Sequence, residues 1–259
     1  MWTWTQSQAN NPSTARKGNP MHKQNNTQIG AGLEGYLERP AGAGPFAAMI
    51  VIMEAYGLTG HVQNACKRLA KAGFLALAPD HFHGQVIPYT DSQAAMAKIA
   101  ALKDETLVKE VSQCLDWFDR QADVKKSAHG IIGFCMGGRL AFLANCRLPK
   151  RLQASVSFYG GAIAPAASPD RFGRTPPIGE AGKMEAPLFL GYGADDQGIP
   201  GEEHARIAKT LTDLKKRYVL SVYPGAGHAF LCEERANYAP QVEPTAWREA
   251  IEFLQANLG

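Results

Sequence analysis

The residues of this chain best suited to covalent chemistry stand in Gly133-Phe134-Cys135-Met136-Gly137, a cysteine with glycine two positions to either side. G-x-nucleophile-x-G is the spacing of a nucleophile elbow, where a buried strand turns sharply into a helix. The turn strains the backbone of its central residue, and small neighbours at minus two and plus two avoid collision. A helix N-terminus also favours negative charge. It therefore stabilises a thiolate, and the N–H of Met136 can face a developing oxyanion. The same five residues would equally suit a small buried cysteine at an ordinary glycine-rich helix start, so the motif needs company.

Two later segments supply it. GYGADDQGIP (191–200) sets an acidic pair just after an apolar strand, and Asp196, with its D-x-x-I-P context, is better placed than Asp195 to orient an imidazole. PGAGHAF (224–230) carries His228 in a glycine-rich loop after the last strand. Nucleophile, acid and base then follow in the order of an α/β-hydrolase. The chemistry of such a set is acyl transfer, with the thiolate attacking a carbonyl and the imidazole moving protons. Glu54, which closes the apolar run AAMIVIM, is a fourth candidate, because a carboxylate buried there without a partner would be costly.

The elements that must position these residues alternate along the chain. LEGYLERP (33–40) reads as an early edge strand, and FAAMIVIME (46–54) as a buried parallel strand. HVQNACKRLAKAGF (61–74) has helical spacing, ends at Gly73 and feeds the strand FLALAPD. An amphipathic helix over 105–121, the strand HGIIGF and the helix MGGRLAFLANC bracket Cys135. Strands near 152–159, 186–193 and 218–225, with helices near 201–216 and from Glu243 onward, complete the pattern. Repeated crossovers predict a mostly parallel central sheet with helices on both faces, an α/β fold. In such sheets functional groups gather beyond the carboxyl ends of the strands, which is where Cys135 falls.

Composition bounds the alternatives. The chain has 259 residues, 45% of them hydrophobic, enough for one large α/β domain, placed here at 30–259. Residues 1–29 are rich in Asn, Gln, Ser and Thr and read as a disordered tail, within which Met21 is a second possible start. The formal charge of +3 is spread out, so nucleic acid is not an expected partner. No segment reads as membrane-spanning or secretory, and five scattered cysteines without a CxxC pair point to reduced thiols in a cytoplasm. His81-Phe82-His83 could grip a metal, but no further ligands lie nearby in sequence and a solvent-exposed loop is the preferred reading; no cofactor or metal is expected. His61, His129 and His204 read as helix-start, strand-start and surface residues. Oligomeric state is not legible.

From about residue 31 to 258 the chain resembles the dienelactone hydrolase family, cysteine-dependent α/β-hydrolases, through VIMEAYGL, APD, GFCMGGR, FYGG, GADDQGIP and GHAFLCEERANY. The resemblance implies hydrolysis of a small ester or lactone, with Cys135 as nucleophile, Asp196 as orienting acid and His228 as base. It implies that Glu54 pairs with the resting thiol or the histidine side and shifts when substrate binds. It also implies Ala55 N–H as the second oxyanion donor beside Met136, and Tyr56 and Tyr159 as pocket walls. The chain departs from the family where arginines hold a substrate carboxylate: Cys232 stands four residues after His228, and no arginine occurs between Arg68 and Arg120. A more neutral or apolar ester or lactone is therefore expected, with Arg235 the loop residue able to substitute. Two other classes compete with this reading. One is a non-catalytic ligand-binding protein on the same scaffold, and the other is a thiol redox protein using Cys135.

Overall fold

The structure is a computed structural model that describes residues 26–167, 170 and 172–259. Eight strands form one sheet: β1 (Asn26–Gly30), β2 (Leu33–Glu38), β3 (Phe46–Ile52), β4 (Phe74–Pro79), β5 (Val124–Phe134), β6 (Ala154–Phe158), β7 (Leu188–Gly193) and β8 (Tyr218–Tyr223). Their spatial order is β1-β2-β4-β3-β5-β6-β7-β8. Pairing is antiparallel from β1 to β2 and from β2 to β4, and parallel for the rest. The expected parallel sheet is thus present, extended by an antiparallel edge. β1 lies within the stretch assigned to the tail, where Ile29 buries itself and pairing with β2 orders a polar sequence that carries little periodicity. The rest of that stretch, residues 1–25 with Met21, lies outside the described residues.

Side-chain alternation along β3 divides the core. Met49 and Val51 join α1 (Gly60–Lys71) through Val62, Ala65 and Leu69, and α6 (Glu243–Leu258) through Ala246, Ala250 and Leu254. Ala48, Ile50 and Ile52 join α3 (Asp104–Asp119) through Leu107, Val111 and Leu115, and α4 (Met136–Arg147) through Leu140 and Ala144. Both faces of β3 are covered, which is why its sequence is continuously apolar. α2 (Ser92–Ala101) lies in a segment whose sequence pattern gave no element, and Asp91 caps it by accepting the Ala94 N–H at 2.9 Å. α5 (Gly201–Asp213) precedes β8, and a short 3-10 helix at Pro177–Lys183 ends the long connection after β6.

At the centre, β5 turns into α4 through Cys135, whose φ of 56° and ψ of −115° lie outside the comfortable regions for an L-residue. A Cβ on Gly133 would stand 2.0 Å from the Gly137 carbonyl oxygen, one on Gly137 would stand 2.5 Å from that of Ile52, and one on Gly138 would stand 2.7 Å from that of Phe158. Backbone therefore packs directly on backbone where helix α4 meets β3 and β6. Gly137→Ala is expected to cost on the order of 3 kcal/mol by overpacking. Urea unfolding checks this, and a variant within about 0.5 kcal/mol of the parent would show that the contact yields cheaply.

Candidate active site

Cys135 sits at the carboxyl end of β5 and is partly exposed at the head of α4. Its Sγ lies 3.1 Å from His228 Nε2, and His228 Nδ1 lies 2.7 Å from Asp196 Oδ2. The three residues follow β5, β7 and β8, which lie in one half of the sheet with β6 between β5 and β7. Asp196 is buried, and its other oxygen accepts the Gly198 N–H at 2.8 Å, which fixes the carboxylate before it meets the imidazole. Asp195, its neighbour, is exposed. Close backbone packing recurs here too: a Cβ on Gly193 would stand 2.2 Å from the Ala226 carbonyl oxygen, so the strand end needs glycine to let the histidine loop approach.

The electrostatics of the site act on the imidazole. Burial works to lower the His228 pKa, but the Cys135 sulfur and the Asp196 carboxylate outweigh it and raise the imidazole to about 10. The other thiols differ in kind. Burial pushes Cys66, Cys114, Cys146 and Cys232 upward, the last two to about 12, so they stay neutral, and all five cysteines are free. A redox pairing with Cys135 would have to draw on one of these protonated, buried thiols.

A cavity of about 840 Å³ opens over Cys135. Ala55, Tyr56 and Met136 line it, as expected of the oxyanion donors and of one wall. Tyr159 does not: it is fully buried behind the histidine, its ring 5.3 Å from that of His228, so it backs the imidazole where a pocket wall was expected. Positive φ at Tyr159 (40°) turns its side chain into the core. Glu54 is buried immediately after β3, with Arg235 Nη1 3.9 Å from one of its oxygens and neither oxygen hydrogen-bonded. The Tyr159 hydroxyl is raised well above its ordinary pKa by burial and by the Glu54 carboxylate beside it.

Sequence reading missed the polar framework around this cavity, because its partners are far apart in the chain. Arg139 in α4 binds Asp104 through two bonds of 2.7 and 2.9 Å and also donates to the Thr175 carbonyl at 3.2 Å. Arg174 pairs with Asp170 at 3.0 Å, and Glu203 at the head of α5 accepts the N–H groups of Ile163 and Ala164 at 2.8 and 3.0 Å. Arg139, Arg174 and Arg235 line the cavity together with Asp170, Asp195, Asp196 and Glu203, so its wall is strongly polar. Two histidine readings are corrected. His81 is buried against Glu110, leaving only His83 exposed, because α3 folds back onto the loop. His204 is buried too, stacked on Tyr192 with ring centres 4.2 Å apart. Among the described residues no helix is long and apolar enough to cross a membrane.

Comparison with known proteins agrees with this geometry. The sequence profile of the dienelactone hydrolase family matches residues 33–258. A protein of Synechocystis sp. (strain PCC 6803), provisionally named carboxymethylenebutenolidase, is 31% identical over 87% of this chain and 92% of its own. A Bradyrhizobium protein provisionally named 2-oxo-3-(5-oxofuran-2-ylidene)propanoate lactonase is 30% identical over 86% of this chain and 89% of its own. The crystal structure of a provisionally named dienelactone hydrolase from Klebsiella pneumoniae superposes with a TM-score of 0.78, at 28% identity, over 86% of this chain and 92% of the other. With its sheet order, its strand-to-helix turn at Cys135 and a match that runs from β2 to α6, the chain belongs to the dienelactone hydrolase family of carboxylic ester hydrolases, on the α/β-hydrolase fold.

Proposed function

We propose that residues 30–259 form a single hydrolase domain that cleaves a small ester or lactone through Cys135, His228 and Asp196. The observation that carries this reading is the unbroken chain of contacts from Cys135 Sγ to His228 Nε2 at 3.1 Å and from His228 Nδ1 to Asp196 Oδ2 at 2.7 Å. The Cys135 thiolate attacks the carbonyl carbon, and the N–H groups of Met136 and Ala55 hold the resulting oxyanion. His228 gives its Nε2 proton to the departing alkoxide, leaving an acyl-thiol. Water then attacks that carbonyl as His228 takes its proton, and the acid leaves with the thiolate restored. Glu54 stands by the resting pair and shifts as substrate enters. Its two unpartnered oxygens support that role, since a carboxylate already fixed by hydrogen bonds would not move cheaply.

Arg235 modifies the expectation of a neutral substrate. Its guanidinium lies 5.2 Å from the Tyr56 ring centre and lines the cavity, whereas Arg139 and Arg174 are held by Asp104 and Asp170. It is the residue able to meet a negative end of the substrate, and the lactonase name of the Bradyrhizobium relative, a propanoate, accords with that.

Three outcomes test the reading. Hydrolysis of a neutral aryl acetate, a neutral unsaturated lactone and a carboxylated dienelactone is expected to fall by at least about 10³-fold in Cys135→Ala, and esterase activity near that of the parent would sink the assignment. The His228 ring is expected to stay protonated through neutral pH, since its pKa is raised to about 10, and the nitrogen NMR shifts of the imidazole followed against pH read this directly. A ring that instead titrates near the ordinary histidine value of about 6.5 would refute the raised imidazole. Arg235→Ala is expected to lower kcat/KM for the carboxylated lactone by about tenfold or more while leaving the neutral lactone within about twofold, and equal losses on both would remove Arg235 from substrate recognition.

A further inference from the structure

Behind the cavity wall, three buried side chains from three elements face one another. Glu54 follows β3, His61 is the second residue of α1, and Cys232 lies in the loop after β8. Their exposures are 1%, 4% and 0%. Neither Glu54 oxygen and not the Nε2 of His61 has a hydrogen-bond partner. One donor atom from each of the three residues lies within 4.8 Å of the other two. Buried polar atoms without hydrogen-bond partners are costly, and those of Glu54 and His61 meet beside the Cys232 sulfur, where a bound cation would satisfy them together.

The histidine is set up for that role. Its Nδ1 lies 3.0 Å from Glu233 Oε2, and Glu233 is held in turn by Asn64 Nδ2 at 2.7 Å. With Nδ1–H donating to the carboxylate, the lone pair of the neutral ring is on Nε2, which is the orphaned atom. A carboxylate behind a histidine is the usual second layer of a metal centre.

We propose that Glu54, His61 and Cys232 form a binding site for one thiophilic divalent transition-metal ion of the zinc class. Thiolate, imidazole and carboxylate together suit such an ion, whereas magnesium and calcium want oxygen donors alone. Bond lengths of about 2.0–2.3 Å put donors in a tetrahedral zinc site roughly 3.4–3.6 Å apart, so side-chain rotation of about an ångström closes the set. On binding, the Cys232 thiol gives its proton to solvent and a sulfur–metal bond forms. The thiolate and the Glu54 carboxylate then balance the ion's two positive charges. Access lies along the exposed Glu233 and Glu234 and past Tyr89, whose hydroxyl is 3.5 Å from Cys232 Sγ and 3.0 Å from Glu234 Oε2. On the cavity side, Arg235 at 3.9 Å is the cation that competes for Glu54. A metal-held Glu54 cannot shift beside Cys135, so binding inhibits hydrolysis; that consequence, though not the binding, rests on the role proposed above for Glu54.

Titration of the metal-free protein with Co²⁺ tests the site. The expected result is a near-ultraviolet thiolate-to-cobalt charge-transfer band that saturates at one ion per chain and is displaced by Zn²⁺. The band should persist in Cys135→Ala, vanish in Cys232→Ser, and need about tenfold more cobalt in Glu233→Gln, a change at an exposed residue. Because Cys232→Ser alters the core, the cadmium NMR resonance of the unaltered chain gives a reading free of substitution, expected at the shift of a single-sulfur site. Absence of the band at stoichiometric cobalt overturns the proposal. So does a band that disappears in Cys135→Ala and survives in Cys232→Ser, which would put the metal on the Cys135–His228 pair. Inhibition of hydrolysis is expected to follow the band; a band without inhibition leaves the metal site standing and removes Glu54 from the reaction.

Discussion

The turn at Cys135 depends on a contact that admits no side chain. The head of α4 lies against the carbonyls of Ile52 and Phe158, at the ends of the two strands that flank β5, and Gly133, Gly137 and Gly138 are the residues that let it do so. That closeness holds Cys135 in a strained conformation and points its sulfur out of the sheet. It also sets the distance to His228, because the histidine loop reaches the same point only by passing a second glycine, Gly193, pressed against Ala226. Tight backbone packing at two strand ends thus fixes what side-chain packing alone would leave loose.

Charge is handled differently on the two sides of this turn. Towards the cavity, Asp196 is fixed by Gly198 and passes its influence to Cys135 through one imidazole. Four other thiols are kept protonated by burial, and Cys135 alone of the five is partly exposed. Behind the wall, Glu54 and His61 keep polar atoms out of water with no hydrogen bond to those atoms, which well-packed cores rarely permit.

Sequence carried the central part of this arrangement because its signals are local. The elbow glycines, the acidic pair after β7 and the histidine after β8 each sit within a few residues of the strand they follow, and their order along the chain reports their meeting. β1 escaped because its five residues, Asn26–Gly30, show little alternation and owe their strand form to β2. Tyr159 was misjudged because a motif gives a residue's position but not its rotamer, and a positive φ turned the ring inward. Arg139–Asp104 and His61–Glu233, separated by 35 and 172 residues, were beyond any local pattern. Burial of His81 and His204 was hidden for the same reason, since helix α3 and Tyr192 supply their partners.

The bond from Arg139 to the Thr175 carbonyl joins two parts of the molecule that otherwise answer to different demands. Among the described residues of the connection from Gly161 to Thr175, several line the cavity and none belongs to a strand, so insertions there can remodel what fits above the sulfur while the sheet is untouched. Arg139, one turn into α4, belongs to the helix that Cys135 heads and is buried with Asp104 at the start of α3. Specificity in this scaffold is therefore separable from reactivity along the loop and inseparable from it at one guanidinium, which makes the loop the place to diversify a library and Arg139 the place to leave alone.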